Sequence, residues 1–346
     1  MYGYDDLTPP QCDWSQYEID ISHFCEKRVD VCTAIAVIGA DRLTYYKRTL
    51  STLAKNKLAH QLPVYAFLDY PPYSTTPDED QEAMVAETLT HFPDAHVICR
   101  KVNFGCGRNI IDARRQLFDH LEYEKVFIIE DDMLLSDNYL QLCMNMMEWA
   151  ESKWSNIGVV QGWNKCFLTE AQKKERLSEV LPTMTNWWGY LMHRSCWASM
   201  REGLYRYERK WLGWEYNARP HQPIADWLKK ELFDFPMRLN ALAPGEAWEE
   251  AQEKFWNAPA TGQDAATMLG MHNGGWLRLA PVVNRGQYIG RMGIHMNPSW
   301  FINDRFDEIL LHQFEEDKSL TSFSTNHLPP PEEEDEEFEG MRSIKA

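Results

Sequence analysis

No uninterrupted apolar segment in these 346 residues is long enough to make a membrane-spanning helix. The opening Met1-Tyr-Gly-Tyr-Asp-Asp6 also lacks the basic and apolar stretches of a secretory signal. Both absences lead to the expectation of a cytoplasmic protein with no membrane partner. Basic excess is missing as well: 35 Lys and Arg stand against 52 Asp and Glu, a net charge of −17. That balance disfavours non-specific attraction to nucleic acid or to an anionic membrane. The eight cysteines, Cys12, Cys25, Cys32, Cys99, Cys106, Cys143, Cys166 and Cys196, have neither the paired spacing of a zinc site nor the density of a disulfide scaffold. They are expected to be reduced and structural.

What is present describes a globular α/β chain. Hydrophobic residues make up 44% and charged residues 25%, and the length allows one large domain or two smaller ones. Strands are expected at Val31–Gly39, Leu62–Leu68, Ala95–Arg100, Val126–Ile129, Ile157–Gln161 and Trp276–Val283. Helical periodicity falls between them, at Asp41–Asn56, Glu82–His91, Gly105–Leu121 and Asn138–Trp154, with a short helix opened by Asp264. Strand and helix in alternation imply a mostly parallel, Rossmann-like sheet.

The chain divides into a leader (1–30), a first half of strand–helix alternation (31–165), a second half (166–310) and a C-terminal segment (311–346). That last segment ends in the acidic run Glu332-Glu-Glu-Asp-Glu-Glu-Phe-Glu339, which reads as a disordered tail. A stretch rich in aromatic and charged residues, about 211–257, carries Trp211, Trp214, Trp227, Trp248 and Trp256.

The most pointed feature is Val126-Phe-Ile-Ile-Glu-Asp-Asp-Met133, three carboxylates closing an apolar strand. The carboxyl end of a parallel strand is where ligands bind in open α/β sheets. Neighbouring carboxylates there repel one another unless a cation joins them, so Glu130, Asp131 and Asp132 imply a hard divalent ion, Mg2+ or Mn2+.

Six patches, in order, resemble nucleotide-sugar-dependent glycosyltransferases of the GT-A fold, of the N-acetylglucosaminyltransferase I type. They are Ala36–Arg42, Ala66–Asp69, Ile129–Met133, Val159–Asn164, Asn186–Leu191, and Pro281–Arg285 with Gly290–His295. The resemblance implies an inverting, metal-dependent transfer from a UDP-sugar to an acceptor hydroxyl. It also implies that the first half (31–165) binds the nucleotide-sugar donor and the second (166–310) faces the acceptor. Under it, Asp132 is the metal ligand, with Glu130 and Asp131 in support, and His295 ligates the metal or meets the diphosphate. Arg42 contacts the nucleotide and Asp69 reads uracil, while Trp188 and Gly189 lie beneath the sugar. Arg285 and Arg291 belong to a loop at 284–297 that closes over the donor. Asn109 and Arg114 are further candidates for phosphate, because a helix N-terminus favours anions.

A general base must take the acceptor's proton, and Asp264 stands where the resemblance puts it; Asp226, in a local Asp-Trp pattern, is its rival. The lack of a membrane anchor departs from the Golgi enzymes of this type, so the acceptor is open among glycan, protein, metabolite and modified nucleobase. Two other classes compete. A nucleotidyltransferase would need a glycine-rich, basic phosphate loop, and Ile38-Gly-Ala-Asp-Arg42 is poor in both. A non-catalytic carbohydrate-binding protein would use the tryptophans but have no need of the acidic triplet.

Overall fold

A computed structural model describes residues 31–183, 187–214, 218–228, 230, 261–293, 296–313 and 322–325. The leader, most of the stretch 211–257, His295 and the acidic tail lie outside the described residues.

The frame is an eight-stranded mixed sheet in the order β3-β2-β1-β4-β8-β6-β9-β7. Its left half is parallel throughout: β1 (Thr33–Gly39), β2 (Val64–Leu68), β3 (His96–Cys99) and β4 (Lys125–Glu130). β1, β2 and β4 are buried on both faces, the edge strand β3 is half-buried, and the side chains alternate between two cores. Ile35, Val37, Ala66, Leu68, Phe127 and Ile129 join one cluster. Ala34, Ala36, Ile38, Tyr65, Phe67, Val126 and Ile128 join the other. The period of two explains why the strands read as continuous apolar runs: each face has its own layer of helices to meet.

One layer contains α1 (Leu43–Leu53), α2 (Pro77–His91) and α4 (Tyr139–Glu151). The other contains α3 (Cys106–Arg114), which widens into a π turn at Arg115–His120, together with α6 (Arg194–Trp211), α7 (His221–Trp227) and α8 (Gln263–Asn273). The chain leaves β1 into the first layer and enters β4 from the second, so the carboxyl ends of β1 and β4 form a topological switch point.

Beyond β4 the sheet departs from simple alternation. β8 (Tyr190–His193) runs antiparallel between β4 and β6 (Ile157–Gln161). β9 (Leu277–Pro281) returns parallel to β6, and β7 (Val180–Pro182), preceded in the chain by the short helix α5 (Glu170–Glu175), closes the edge antiparallel to β9. A separate two-stranded ribbon pairs β5 (Met133–Leu135) with β10 (Gly286–Tyr288).

Two expectations change here. α2 begins at Pro77 rather than Glu82, with proline in the first helical turn and Asp78, Glu79 and Asp80 facing the helix dipole. The expected closing loop at 284–297 begins in regular structure, because β10 is paired to β5 and Asn284 and Arg285 are buried.

Candidate active site

The site is assembled at the switch point. Register pairs Ile38 of β1 with Glu130 of β4, so Arg42, just past β1, lies beside the carboxylates at the end of β4. The Arg42 guanidinium grips Asp131 through Nη2 to Oδ1 and through Nε to Oδ2 at 3.2 Å. It also reaches Asp132 Oδ2 from Nη1 at 2.8 Å. Thr49 fixes the backbone below by donating to the Asp131 carbonyl at 2.7 Å.

Asp132 is only 3% exposed, and its Oδ1 has no hydrogen-bond partner among the described residues. Burial drives the Asp131 carboxyl up to about 7 and raises Asp132 as well, with Arg42 opposing both shifts. Glu130 is held well above the usual carboxylate range, first by burial and then by the charges of Asp264, Asp132 and Asp131.

Asp264 is brought to this cluster by α8. It stands half-buried in the first turn, where Gln263 donates to its Oδ1. Burial lifts it to about 6, offset in part by Arg114 and Arg278. A carboxylate lifted toward neutrality, beside a second raised further still, is an arrangement suited to acid–base chemistry. Asp226 is elsewhere, on α7, accepting from Gln222 of its own helix at 2.9 Å.

Several expected ligand contacts prove to be frame contacts. Asp69 is 2% exposed, and its oxygens accept the backbone amides of Tyr70 at 2.9 Å and Phe104 at 2.7 Å and the Asn103 amide at 3.2 Å. It therefore pins the turn after β2. Asn109 donates to the Phe67 carbonyl at 3.0 Å and accepts from Arg100 at 3.1 Å, which ties α3 to β2. Arg114, fully buried, donates to the Tyr190 hydroxyl and to Thr267 Oγ1 at 2.9 Å. It acts on Asp264 by charge and not on a phosphate by contact.

Arg285 is also fully buried and donates to the carbonyls of Val283 and Leu177, so it braces the turn into β10. Trp188 stacks on Tyr288, with ring centroids 3.7 Å apart and planes 8° apart, inside an aromatic cluster with Trp163 and Phe306. Gly189 has φ +61°, and its carbonyl takes the Tyr139 hydroxyl. A side chain there would collide with that hydroxyl.

Arg291, by contrast, is exposed beside the site, with its guanidinium 5.4 Å from the Phe301 ring. His295 lies outside the described residues.

The structure adds groups that the sequence did not mark. Arg278, inside β9, lies 4.1 Å over the Trp187 ring and lowers the Asp264 carboxyl. Cys106, at the start of α3, feels Glu130 and Asp264. Tyr288 is raised first by burial and then by Asp132. A polar residue inside an apolar strand was the available signal for Arg278. Nothing local distinguishes the other two.

Among the described residues no three His, Cys, Asp or Glu side chains converge on a point fit for a metal ion. The expected triplet therefore does not form a cage: Glu130 belongs with Asp264, and Asp131 with Arg42. What fits a cation is the free Oδ1 of Asp132. A single carboxylate suits an ion held mainly by a substrate's phosphates.

No family model and no curated protein matches the chain. Among solved structures, the mannosyltransferase PcManGT from Pyrobaculum calidifontis, in complex with GDP-Man and Mn2+, overlaps with a TM-score of 0.35 at 13% identity, covering 50% of this chain and 48% of that one. TarS from S. aureus overlaps with a TM-score of 0.35 at 13% identity, over 51% and 33% of the two chains. A cytidylyltransferase from Leptospira borgpetersenii gives 0.30 at 11% identity, over 50% and 64%. This chain thus spans about half of the mannosyltransferase and a third of TarS, and overlaps of this degree carry no argument about activity.

Proposed function

We propose that the cleft at the ends of β1 and β4 belongs to a GT-A type glycosyltransferase, which binds a nucleoside diphosphate sugar and passes the sugar, with inversion, to an acceptor hydroxyl. The observation that carries the proposal is the meeting of Asp264, from the start of α8, with the Glu130–Asp132 segment, from the end of β4. One strand end thereby offers a diphosphate-side carboxylate, and a different element supplies a carboxylate near neutrality.

In this reading Asp264 accepts the proton of the attacking hydroxyl, and Arg114 and Arg278 keep it ionised at neutral pH. Burial and the neighbouring carboxylates raise the Glu130 carboxyl beside it, which favours its neutral form and so lowers the repulsion that two charges would suffer. Arg42 and the exposed Arg291 are the cations within reach of the leaving diphosphate. A divalent ion, Mn2+ or Mg2+, when bound at Asp132, would supply further neutralisation of that leaving group. Asp69, whose oxygens hold the turn after β2, is the residue assigned to uracil, and the panel below decides the base of the nucleotide.

The test is a panel of nucleoside diphosphate sugars, read by thermal shift with and without Mn2+, then an acceptor screen with the donor that stabilises most. Release of a nucleoside diphosphate with a glycosylated product supports the reading. Release of pyrophosphate in a parallel panel of nucleoside triphosphates with sugar 1-phosphates would instead make the protein a nucleotidyltransferase, and no stabilisation by any donor would remove the proposal.

A further inference from the structure

Arg42 makes three contacts that belong to different parts of the site. It is bidentate on Asp131, it pairs with Asp132 Oδ2 at 2.8 Å, and its Nη1 donates to the Met292 carbonyl at 3.4 Å. The last contact lies on the strap that leads out of β10. That strap is tied to the same residue through its backbone: the Ile289 amide donates to the Asp132 carbonyl at 2.8 Å. A Cβ on Gly290 would run into Asp132 Oδ2, and one on Gly293 would come within 3.2 Å of Arg42 Nη1. Meanwhile Asp132 Oδ1 is buried and unpartnered among the described residues.

We propose that Arg42 is the resident counter-ion of Asp131 and Asp132, that a divalent cation and Arg42 are alternative partners of Asp132, and that exchange of one for the other unlatches the strap at 290–293. This rests on the transferase reading of the site, but it concerns the apo protein and the ion alone.

The physical reasoning is competition. Two adjacent buried carboxylates need a compensating charge, and the guanidinium already supplies it with fork geometry. A hard cation prefers the same oxygens but must displace Nη1 from Oδ2 to gain more than the free Oδ1. Its apparent affinity is therefore reduced by the fraction of molecules in which Arg42 has already left. Once displaced, the guanidinium also gives up the Met292 carbonyl, so ion entry and strap release are one event. The freed Arg42 is then available for a diphosphate.

Mn2+ binding to the whole protein without nucleotide, monitored by the electron paramagnetic resonance of the free ion, tests this directly. Arg42→Met should bind Mn2+ at least ~10-fold more tightly than the wild type, and adding Asp132→Asn should abolish that gain. If Arg42→Met does not fold, Arg42→Lys serves: an ammonium cannot bridge both carboxylates and the carbonyl, so its Mn2+ affinity should also exceed the wild type's. In hydrogen exchange, Mn2+ alone should raise uptake across 290–293 in the wild type. In Arg42→Met uptake should be high at the outset and unaffected by the ion. Equal or weaker Mn2+ affinity in the Arg42 variants overturns the competition, and unchanged uptake in Mn2+-bound wild type overturns the latch. Neither outcome depends on finding a donor, so failure here is distinguishable from failure of the transferase reading.

Discussion

Asp264 carries opposite consequences for activity and for stability. Its carboxyl rises from an ordinary 3.8 to about 6, mainly through burial. A base of this kind works only when ionised, so kcat/KM should climb with pH through about 6 and level off above it. Asp264→Asn should lower transfer by ~10²-fold or more while leaving donor affinity nearly unchanged, and Asp226→Asn should do neither. Because the folded state binds this proton more tightly than the unfolded chain, the group favours folding at low pH. That contribution fades as pH rises from about 4 to about 6. The amide removes the cost, so Asp264→Asn should be more stable than wild type at pH 7.5 by about 1 kcal/mol, discounted for partial exposure, with the advantage shrinking toward pH 4. Urea unfolding at both pH values measures it; a variant less stable at pH 7.5 would mean that the carboxylate is structural. The sequence placed Arg42, Asp131, Asp132 and Asp264 at element boundaries, and the fold brings these boundaries to one end of the sheet. The frame contacts of Asp69, Asn109, Arg114 and Arg285 were not legible, for one physical reason. A buried polar group serves whichever partner tertiary packing brings, and here these partners are carbonyls, amides and hydroxyls of the frame.

Among the elements, the ribbon of β5 and β10 determines which part of the closing segment can move. Gly286, Gln287 and Tyr288 pair with Leu135, Leu134 and Met133, and Arg285 is bonded through its backbone to Gly162 and Ser136. Movement is thus confined to the residues beyond Ile289. In hydrogen exchange, 286–288 should be protected with or without ligand, and only 290–293 should gain protection when ion and nucleoside diphosphate are both present. A uniform gain from 286 onward would mean that the ribbon itself opens. Gly290 tests the same boundary, since an added methyl would collide with Asp132 Oδ2 and the Tyr288 hydroxyl. Gly290→Ala should weaken donor binding by about tenfold or more with little change in melting temperature, because the strain falls on the strap and not on the sheet; calorimetric titration and a thermal melt separate the two effects. The parallel half of the sheet was readable because its strands are apolar runs separated by helices. β5, β7, β8 and β10 were not, since three or four residues give too short a pattern to tell a strand from a loop, and their pairing is set by partners distant in the chain.

On the scale of the whole molecule, a net charge of −17 has to be reconciled with an anionic donor. The protein's field attracts a divalent cation and repels a nucleoside diphosphate, and added salt screens both effects within roughly 8 Å at physiological ionic strength. The two binding events should therefore respond to salt with opposite sign. Raising sodium chloride should weaken Mn2+ binding to the apo protein and should strengthen, or leave unchanged, the binding of a nucleoside diphosphate in the presence of chelator. Asp132→Ala separates the local from the global term. It should abolish the gain in donor affinity that Mn2+ confers, because the one buried carboxylate oxygen without a hydrogen-bond partner among the described residues is gone. The chelator-resistant binding and its salt slope should remain, because Arg42 keeps Asp131 and the molecular charge hardly changes. Titration calorimetry at two salt concentrations, with and without Mn2+, reads all four quantities. A metal-dependent gain that survives in folded Asp132→Ala would move the cation away from the end of β4, and with it the diphosphate.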